Sequence, residues 1–188
     1  MKLLVITAST REQRIGHLLA DWAVEQVGAH GKFQPELADL KAINLPMLDE
    51  PNHPRFGNYQ HAHTKAWSAT VAAADAFLFV VPEYNYAMPP ALLNAVDYLF
   101  HEWAYKPAAF VSYGGISAGT RSAQSAKTVL TSMRIMPIPE AVSIPFVRNF
   151  LKDGRFVGEE TQTKSAAVML EELHKWATAL APLRPPPR

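Results

Sequence analysis

The chain has 188 residues, a length that suits one domain with a sizeable buried core. Hydrophobic residues make up 48% of the chain and charged residues 19%, and the formal net charge is +1. The composition is therefore that of a globular protein, without the basic excess that is typical of nucleic-acid binding. The absence of cysteine excludes disulfides, thiol catalysis and thiolate metal sites.

The two ends of the chain predict no membrane attachment. The apolar run Lys2–Thr7 is too short for a signal peptide or a membrane span, so we expect a cytoplasmic protein. Residues 182–188 are rich in proline, and we expect them to form an extended or disordered end after a single domain over residues 1–181.

Apolar runs and helical periodicities alternate along the chain. Strands are predicted at Lys2–Thr7, Phe33–Leu40, Asp75–Val81, Pro107–Tyr113 and Ala141–Pro145. Helices are predicted from Gly16, over Asn58–Ala74, from Pro89 to Phe100, around Ala126–Met133 and over Lys164–Leu180, with a long loop at Ala42–Gly57. This alternation predicts a five-stranded parallel sheet with helices on both faces. Ligands of such sheets bind beyond the carboxyl ends of the strands, so the turns after strands one, three and four are candidate sites.

The turn after the first strand is unusually rich in hydrogen-bond donors. It contains two hydroxyl side chains, two guanidinium groups and a glycine that permits close approach, namely Ser9, Thr10, Arg11, Arg14 and Gly16. The turn leads into a helix N-terminus, where free N–H groups and the positive end of the helix dipole favour an anion. These features predict a phosphate site, although the G-x-G-x-x-G and P-loop patterns are both missing. The alternative is a solvated turn with a Ser or Thr helix cap.

The turn after the third strand combines a carboxylate, an amide and aromatic rings. Its residues are Pro82, Glu83, Tyr84 and Asn85, and Tyr86 follows them. Tyr84 and Tyr86 could pack on a flat ring, so a mononucleotide-like cofactor would fit beside the phosphate site. The alternative is a tyrosine-rich surface loop.

The pair of turns resembles a known family. S-T-R-x-x-R-x-G after strand one and P-E-Y-N after strand three are similar to the NADPH-dependent FMN reductase family, whose fold is flavodoxin-like. The resemblance extends from Lys2 to about Ser143. It implies an FMN-dependent oxidoreductase that passes a hydride from NADPH or NADH through flavin N5 to an acceptor such as a quinone, free flavin, azo compound or metal oxyanion. It implies no metal and no catalytic acid or base side chain.

The resemblance also implies which residues hold FMN. Those expected at the phosphate are Ser9, Thr10, Arg11, Arg14, Ile15 and Gly16. Those expected at the isoalloxazine are Pro82, Glu83, Tyr84, Asn85 and the S-Y-G-G stretch Ser112, Tyr113, Gly114 and Gly115. Many members of the family have a serine where this chain has Ile15-Gly16, so Arg14 or a backbone amide is expected to supply that hydrogen bond. Backbone amides at Tyr84, Asn85, Gly114 and Gly115 are expected to face the negative charge of the reduced ring.

A nearly all-apolar helix is predicted from Pro89 to Phe100, and such a helix must be buried on more than one side. Core burial is one interpretation. The resemblance favours another, a homodimer or homotetramer in which Trp103 and Tyr105 border the site, with the partner subunit as their possible source.

Two other functions compete with a reductase. Gly115–Gly119 matches the G-x-S-x-G pattern of serine hydrolases, with Ser117 as nucleophile and Asp153 and His174 downstream in the required order. His174 lies inside the predicted last helix, however, which argues against a triad. A flavodoxin-type electron carrier would share the fold, but such carriers are typically acidic and their phosphate loops lack arginine.

Overall fold

The computed structural model describes residues 1–185, in which five strands form a parallel sheet. They are β1 (Lys2–Thr7), β2 (Gln34–Asp39), β3 (Ala76–Pro82), β4 (Pro107–Tyr113) and β5 (Met136–Ile144). Their order in the sheet is β2-β1-β3-β4-β5. The predicted flavodoxin-like arrangement is confirmed, with its switch of direction between β1 and β3.

Helices cover both faces of this sheet and bury two separate apolar cores. They are α1 (Gly16–His30), α2 (Leu40–Ile43), α3 (Ala62–Ala72), α4 (Pro90–Asp97), α5 (Thr120–Ser132) and α6 (Glu160–Leu180). One core joins α1 and α6 to the sheet, and the other joins α3, α4 and α5 to its opposite face. Every residue of β3 and β4 is buried, as continuous apolar strands between two helical layers require.

The region after α5 differs most from the sequence prediction. Strand β5 begins at Met136 rather than at Ala141, because Pro137 and Pro139 are tolerated in a strand at the edge of the sheet. A short antiparallel hairpin follows, formed by β6 (Leu151–Lys152) and β7 (Arg155–Phe156). It was not predicted, since two-residue strands carry no periodic signal. The hairpin packs on α1 through Trp22 and Phe156, whose ring centroids lie 5.3 Å apart.

The first residues of the proline-rich end are ordered. Residues Ala181–Leu183 form one turn of 3-10 helix. Arg184 then donates hydrogen bonds to the Asp75 carboxylate at 2.5 Å and to the Ala177 carbonyl at 3.0 Å. The expected extended or disordered end is therefore wrong for these residues, because an ion pair anchors Arg184. Residues 186–188 lie outside the described part of the chain.

Within residues 1–185, no helix combines the length and the apolar character needed to cross a membrane.

Candidate functional site

The turns after β1, β3 and β4 meet in one cavity at the carboxyl edge of the sheet, as predicted. Its volume is about 170 Å³, and we call it the carboxyl-edge cavity. Its lining consists of Ser9, Arg11, Gln13, Arg14, Ile15, Pro82, Glu83, Tyr84, Tyr113, Gly114, Val147 and Arg148. Most of the predicted site residues are therefore brought together, although they come from three separate turns of the chain.

Five predicted site residues lie outside that lining. Thr10 faces a neighbouring hollow between α2 and α4, and Gly115 borders another hollow shared with Arg148. The Ser112 hydroxyl is buried in β4 and donates to Ser143 Oγ at 3.3 Å. The other two are Gly16, directly behind the lining, and Asn85, at the tip of its turn.

The first turn leaves donors free at the start of α1. Ile15 is the residue that precedes the helix, and its side chain makes no capping hydrogen bond. Ser9 is buried, and its Oγ has no hydrogen-bond partner within residues 1–185. Gly16 packs so closely behind Ser9 and Tyr113 that a Cβ at this position would clash with both hydroxyl oxygens. The glycine therefore lets the two hydroxyl groups and the helix start come together, which is the arrangement expected of an anion site.

Arg14 is held by the protein itself. Its Nη1 donates to Asp39 Oδ1 at 2.6 Å and to the Ser9 carbonyl at 3.0 Å, and its Nη2 donates to Asp39 Oδ2. The hydrogen bond to Asp39 raises the pKa of Arg14. Arg14 thus shapes the turn around Ser9, and the two nitrogens that could grip a phosphate side by side are already engaged.

Arg11 differs from Arg14, because it forms no ion pair within residues 1–185. Its guanidinium carbon lies 6.0 Å from the ring centroid of Tyr84, which is within the range of a cation–π contact. Burial raises the pKa of Tyr84, so this ring stays neutral beside the cation. Arg11 is therefore a guanidinium of this turn that can neutralise a bound anion.

The third turn is a tight two-residue reversal. The amide of Tyr84 and the carbonyl of Ala87 are bonded at 3.0 Å, as are the amide of Ala87 and the carbonyl of Tyr84. Asn85 and Tyr86 between them have φ values of 49° and 69°. Both lie in the left-handed region that such hairpin turns require, and asparagine adopts it readily.

Glu83 fastens this turn to α5. Its carboxylate accepts from Arg121 Nη1 at 2.9 Å and from the Arg121 amide in the first turn of α5 at 3.2 Å. Burial opposes ionisation, but the hydrogen bonds from Arg121 hold the pKa of Glu83 below its usual range. The Arg121 guanidinium carbon also lies 4.3 Å from the ring centroid of Tyr86, so Arg121 covers one face of that ring.

Only some of the four backbone amides expected to face the isoalloxazine are free to bind a ligand. The Tyr84 amide is bonded within its own turn, and the Gly114 amide donates to the Ile144 carbonyl at 3.2 Å. The amides of Asn85 and Gly115 have no hydrogen-bond acceptor within residues 1–185. Of the four expected donors, these two therefore remain open to a ligand.

The fourth turn owes its shape to Gly119 and Tyr113. Gly119 has a φ of 74°, and a Cβ there would meet the backbone of Tyr113 at 2.6 Å. Tyr113 is buried in the cavity wall, and burial raises its pKa to about 12. Its hydroxyl is consequently a neutral hydrogen-bond donor under physiological conditions.

Three lining residues were not predicted: Gln13, Val147 and Arg148. Gln13 lies within the first turn and was overlooked because its side chain is uncharged. Val147 and Arg148 follow β5, and they reach the cavity because the chain turns back over the Gly114–Gly115 loop. No local sequence signal indicates that path.

The hydrolase triad is not assembled. Ser117 lies between β4 and α5, at the carboxyl edge. His174 lies in α6 and packs against Phe33, with ring centroids 5.5 Å apart, and Phe33 directly precedes β2 at the amino edge. The two residues are thus separated by about the length of a strand, roughly 20 Å. Asp153 lies in the β6–β7 turn.

Neither Trp103 nor Tyr105 borders the carboxyl-edge cavity of its own subunit, and their placement at the site of a partner subunit stays a prediction. Trp103 is completely buried, with its ring centroid 4.9 Å from that of Phe77. The amide of Tyr105 donates to the Arg134 carbonyl at 2.9 Å. Both residues precede β4, and the chain must return to the amino edge before it can begin another parallel strand.

A larger cavity, of about 450 Å³, lies at the amino edge, but its polar groups bind one another. Lys106 Nζ donates to two carbonyls that end α3, at 2.8 and 3.0 Å. Glu102 accepts from the Ser68 hydroxyl at 2.6 Å, and Arg184 is paired with Asp75. These groups are committed to the fold except for Arg184 Nε, which has no partner within residues 1–185, whereas the carboxyl-edge cavity contains the unpartnered Ser9 hydroxyl.

Comparison with known proteins identifies relatives of this chain. The family model described as NADPH-dependent FMN reductase matches residues 1–149. An NAD(P)H-dependent FMN reductase of Schizosaccharomyces pombe is 40% identical over 147 residues, which is 77% of this chain and 74% of that protein. An NAD(P)H:quinone oxidoreductase of Solanum tuberosum is 35% identical over 113 residues, 56% of this chain and 58% of that protein.

A solved structure supports the fold. The flavoenzyme NAD(P)H:(acceptor) oxidoreductase FerB from Paracoccus denitrificans superposes with a TM-score of 0.75. The alignment covers 95% of this chain and 97% of that one, at 20% sequence identity. The two proteins therefore share the flavodoxin-like architecture although only one residue in five is identical.

Proposed function

Since the chain belongs to the NADPH-dependent FMN reductase family, we propose that its FMN lies in the carboxyl-edge cavity. The protein is an FMN-dependent oxidoreductase with NAD(P)H as co-substrate. In this proposal the phosphate lies at the turn after β1, and the ring system lies between the turns after β3 and β4. The observation that carries the placement is the buried Ser9 Oγ, which has no partner within residues 1–185 and lines the cavity.

The donor set of the first turn fits a phosphate. Ser9 supplies a hydroxyl, Arg11 supplies a guanidinium, and the start of α1 supplies amides without a side-chain cap. A phosphate oxygen would give the Ser9 hydroxyl the hydrogen-bond partner that it lacks within residues 1–185. Arg14 contributes indirectly, because its hydrogen bond to the Ser9 carbonyl fixes the backbone that presents the hydroxyl.

The third and fourth turns fit a flat, partly polar ring. Pro82 and Tyr84 offer apolar and aromatic surface, and Tyr113 closes the floor with a neutral hydroxyl. The amides of Asn85 and Gly115 would meet ring carbonyl or nitrogen atoms. The Glu83–Arg121 ion pair fixes the position of the third turn, so the ring would bind against a rigid segment.

Binding and orientation are the protein's contribution to the reaction. FMN, when bound, supplies the two-electron hydride chemistry. The lowered pKa of Glu83 makes its carboxylate a weak base, and the raised pKa of Tyr113 makes its hydroxyl a weak acid at neutral pH. We therefore propose that no side chain of the cavity acts as a general acid or base and that backbone amides stabilise the negative charge of the reduced ring.

The rim of the cavity suggests the class of acceptor. Apolar side chains are exposed on the turns beside it, including Ile116 (83% exposed) and Phe146 (53%). Exposed apolar groups beside a site favour a flat, apolar molecule. We propose small quinones as acceptors, in keeping with the name of the potato relative, an NAD(P)H:quinone oxidoreductase, and azo compounds as a second class.

We further propose a homodimer formed through the outer face of α4. Leu93 on that face is 38% exposed, although its neighbours Leu92 and Val96 are buried. Met47 and Leu48 extend the exposed apolar surface, and the Leu48 amide is fixed to Asn94 Oδ1 of α4 at 2.9 Å. Light scattering of the wild type and of Leu93→Glu would test this, since a charge on the apolar face should shift a dimer towards monomer.

The visible absorption spectrum tests the cofactor proposal. FMN is added to the purified protein, unbound flavin is removed, and oxidation of NADPH is followed with and without a quinone. We expect a retained flavin spectrum and quinone-dependent turnover, both strongly reduced in Ser9→Ala combined with Arg11→Gln. Ser165→Ala combined with Arg134→Gln, at a half-buried position of α6 and an exposed position of the amino edge, is the control. A wild type that retains no flavin would contradict the placement.

A further inference from the structure

A fourth segment of the chain borders the carboxyl-edge cavity. Residues 146–149 follow β5, and Arg148 lines both this cavity and the adjoining hollow of about 310 Å³. The two turn motifs that carry the family resemblance do not include these residues. Arg148 is thus a further arginine in the lining that contains Ser9 and Gly114.

This segment is fixed on the fourth turn. The Phe146 amide donates to the Gly115 carbonyl at 3.0 Å, and the Val147 amide donates to the Gly114 carbonyl at 3.2 Å. Phe146 is held at a φ of 46°, a conformation that a bulky side chain adopts only where its surroundings require it. Arg148 is therefore carried by a segment whose position relative to the cavity is set by backbone hydrogen bonds.

The charges around the cavity do not balance. Arg14 is neutralised by Asp39, and Arg121 at the rim is neutralised by Glu83. Arg11 and Arg148 form no ion pair within residues 1–185. Two guanidinium charges thus remain in the lining with no carboxylate against them. A phosphate monoester carries a charge of about −1.5 to −2 at neutral pH, which matches this excess.

We propose that Arg148 is a second phosphate-binding cation of the flavin site, acting with Arg11 on the phosphoryl group of FMN. The inference rests on the proposed location of FMN in this cavity. Arg148 supplies from the β5 side the charge that Arg14 cannot supply from the β1 side, because Arg14 is engaged by Asp39. It is a binding residue, and it takes no part in hydride transfer.

Riboflavin provides the decisive comparison, because it has the same ring and ribityl chain as FMN but no phosphate. Dissociation constants for FMN and riboflavin are measured by flavin fluorescence on the apoprotein for the wild type and Arg148→Gln. We expect Arg148→Gln to weaken FMN binding about ten-fold and to leave riboflavin binding within about two-fold. The salt dependence of FMN binding should become shallower, since one cation fewer meets the phosphate.

Two further variants sharpen the measurement. Arg148→Lys keeps the charge and should retain most of the affinity for FMN. Arg134→Gln removes the same charge at the opposite edge of the sheet, where the Arg134 carbonyl accepts from Tyr105, and should change neither constant. Circular dichroism establishes that each variant is folded before titration.

Each contrary outcome has a distinct meaning. If Arg148→Gln weakens FMN and riboflavin equally, Arg148 acts on the ring or on the local fold, and the proposal fails. If Arg148→Gln weakens the binding of neither flavin but raises the KM for NADPH, Arg148 binds the co-substrate, and the proposal fails. If the wild type itself binds FMN no better than riboflavin, the placement of the phosphate at the first turn fails as well.

Discussion

Arg14 and Asp39 form a doubly hydrogen-bonded ion pair that ties the turn after β1 to the end of β2. Asp39 also accepts from the Lys41 amide at 3.0 Å and so caps the start of α2. The same Arg14 nitrogen that meets Asp39 reaches the Ser9 carbonyl. One carboxylate therefore positions the backbone of the proposed phosphate site and the start of the next helix together.

Asp39→Asn tests how much this pair stabilises the protein. An amide keeps the shape but loses the charge, leaving a part-buried guanidinium without its counter-ion. We expect a loss of about 1–2 kcal/mol in the free energy of unfolding, measured in urea. Asp21→Asn, at an exposed position of α1, is the control and should change the free energy by less than about 0.5 kcal/mol. Equal effects of the two variants would contradict a structural role for the pair.

The same pair predicts how stability depends on pH. Burial opposes ionisation of Asp39, but the hydrogen bond from Arg14 holds the pKa of Asp39 below its ordinary value. A carboxyl whose folded pKa is lowered stabilises the fold fully above its unfolded pKa, about 3.9. That contribution is lost as the pH falls through the folded pKa. The stability difference between wild type and Asp39→Asn should therefore be constant near neutral pH and shrink in acid. A difference that grows in acid would contradict this sign.

The central sheet could be predicted because its strands are buried on both faces. β3 and β4 lie between two helical layers, so their sequences are unbroken apolar runs that end within one residue of the predicted positions. β5 is an edge strand, and the prolines near its start made its first residues look unlike a strand in the sequence. The β6–β7 hairpin is too short to show any alternation, and its existence depends on packing against Trp22.

The candidate site could be predicted only where its chemistry is local in sequence. Ser9, Arg11 and Tyr84 lie in turns whose composition already indicates a ligand. The pairing of Arg14 with Asp39 spans 25 residues and has no sequence signal, so Arg14 was expected to face the ligand. Contacts that depend on the path of the chain through space require the structure.

Two glycines of α1 form a matched pair for testing close packing. A Cβ at Gly16 would clash with the hydroxyl oxygens of Ser9 and Tyr113, whereas a Cβ at Gly28 would meet nothing within 4 Å. Gly16→Ala should cost about 1–2 kcal/mol of stability and weaken FMN binding about ten-fold. Gly28→Ala should stabilise the protein by about 0.5–1 kcal/mol and leave FMN binding unchanged. Urea unfolding and FMN titration of both variants check this, and similar effects at the two positions would refute the packing argument.

The link between Glu83 and Arg121 can be measured with a double-mutant cycle. Glu83 is half-buried and accepts hydrogen bonds from both the guanidinium and the amide of Arg121, so its removal should loosen the third turn. For Glu83→Gln and Arg121→Gln we expect a coupling of about 0.5–1 kcal/mol in unfolding free energy. Glu83→Gln should also weaken binding of riboflavin, because riboflavin has no phosphate and depends on the turns that contact its ring.

The exposed pair Glu160–Lys164 on α6 is the control for that cycle. Its oxygen and nitrogen lie 2.7 Å apart, but both side chains are in solvent, so its coupling should be about 0.3–0.5 kcal/mol. If the Glu83–Arg121 coupling is no larger, and if riboflavin binding is unchanged, the ion pair does not hold the third turn in place.

Lys106 predicts the behaviour of stability at alkaline pH. Its ammonium is buried at the amino edge, and burial lowers its pKa to about 8. Between about pH 8 and the unfolded value of about 10.4, the unfolded chain binds a proton that the folded chain does not. The stability of the wild type relative to Lys106→Met should therefore rise with pH across that range, by up to about 3 kcal/mol.

Lys65→Met, at an exposed position of α3, is the control, and unfolding in urea at several pH values gives the slopes. A relative stability that falls with pH would mean that the ammonium is stabilised in the fold by the two carbonyls it meets, more than it is penalised by burial.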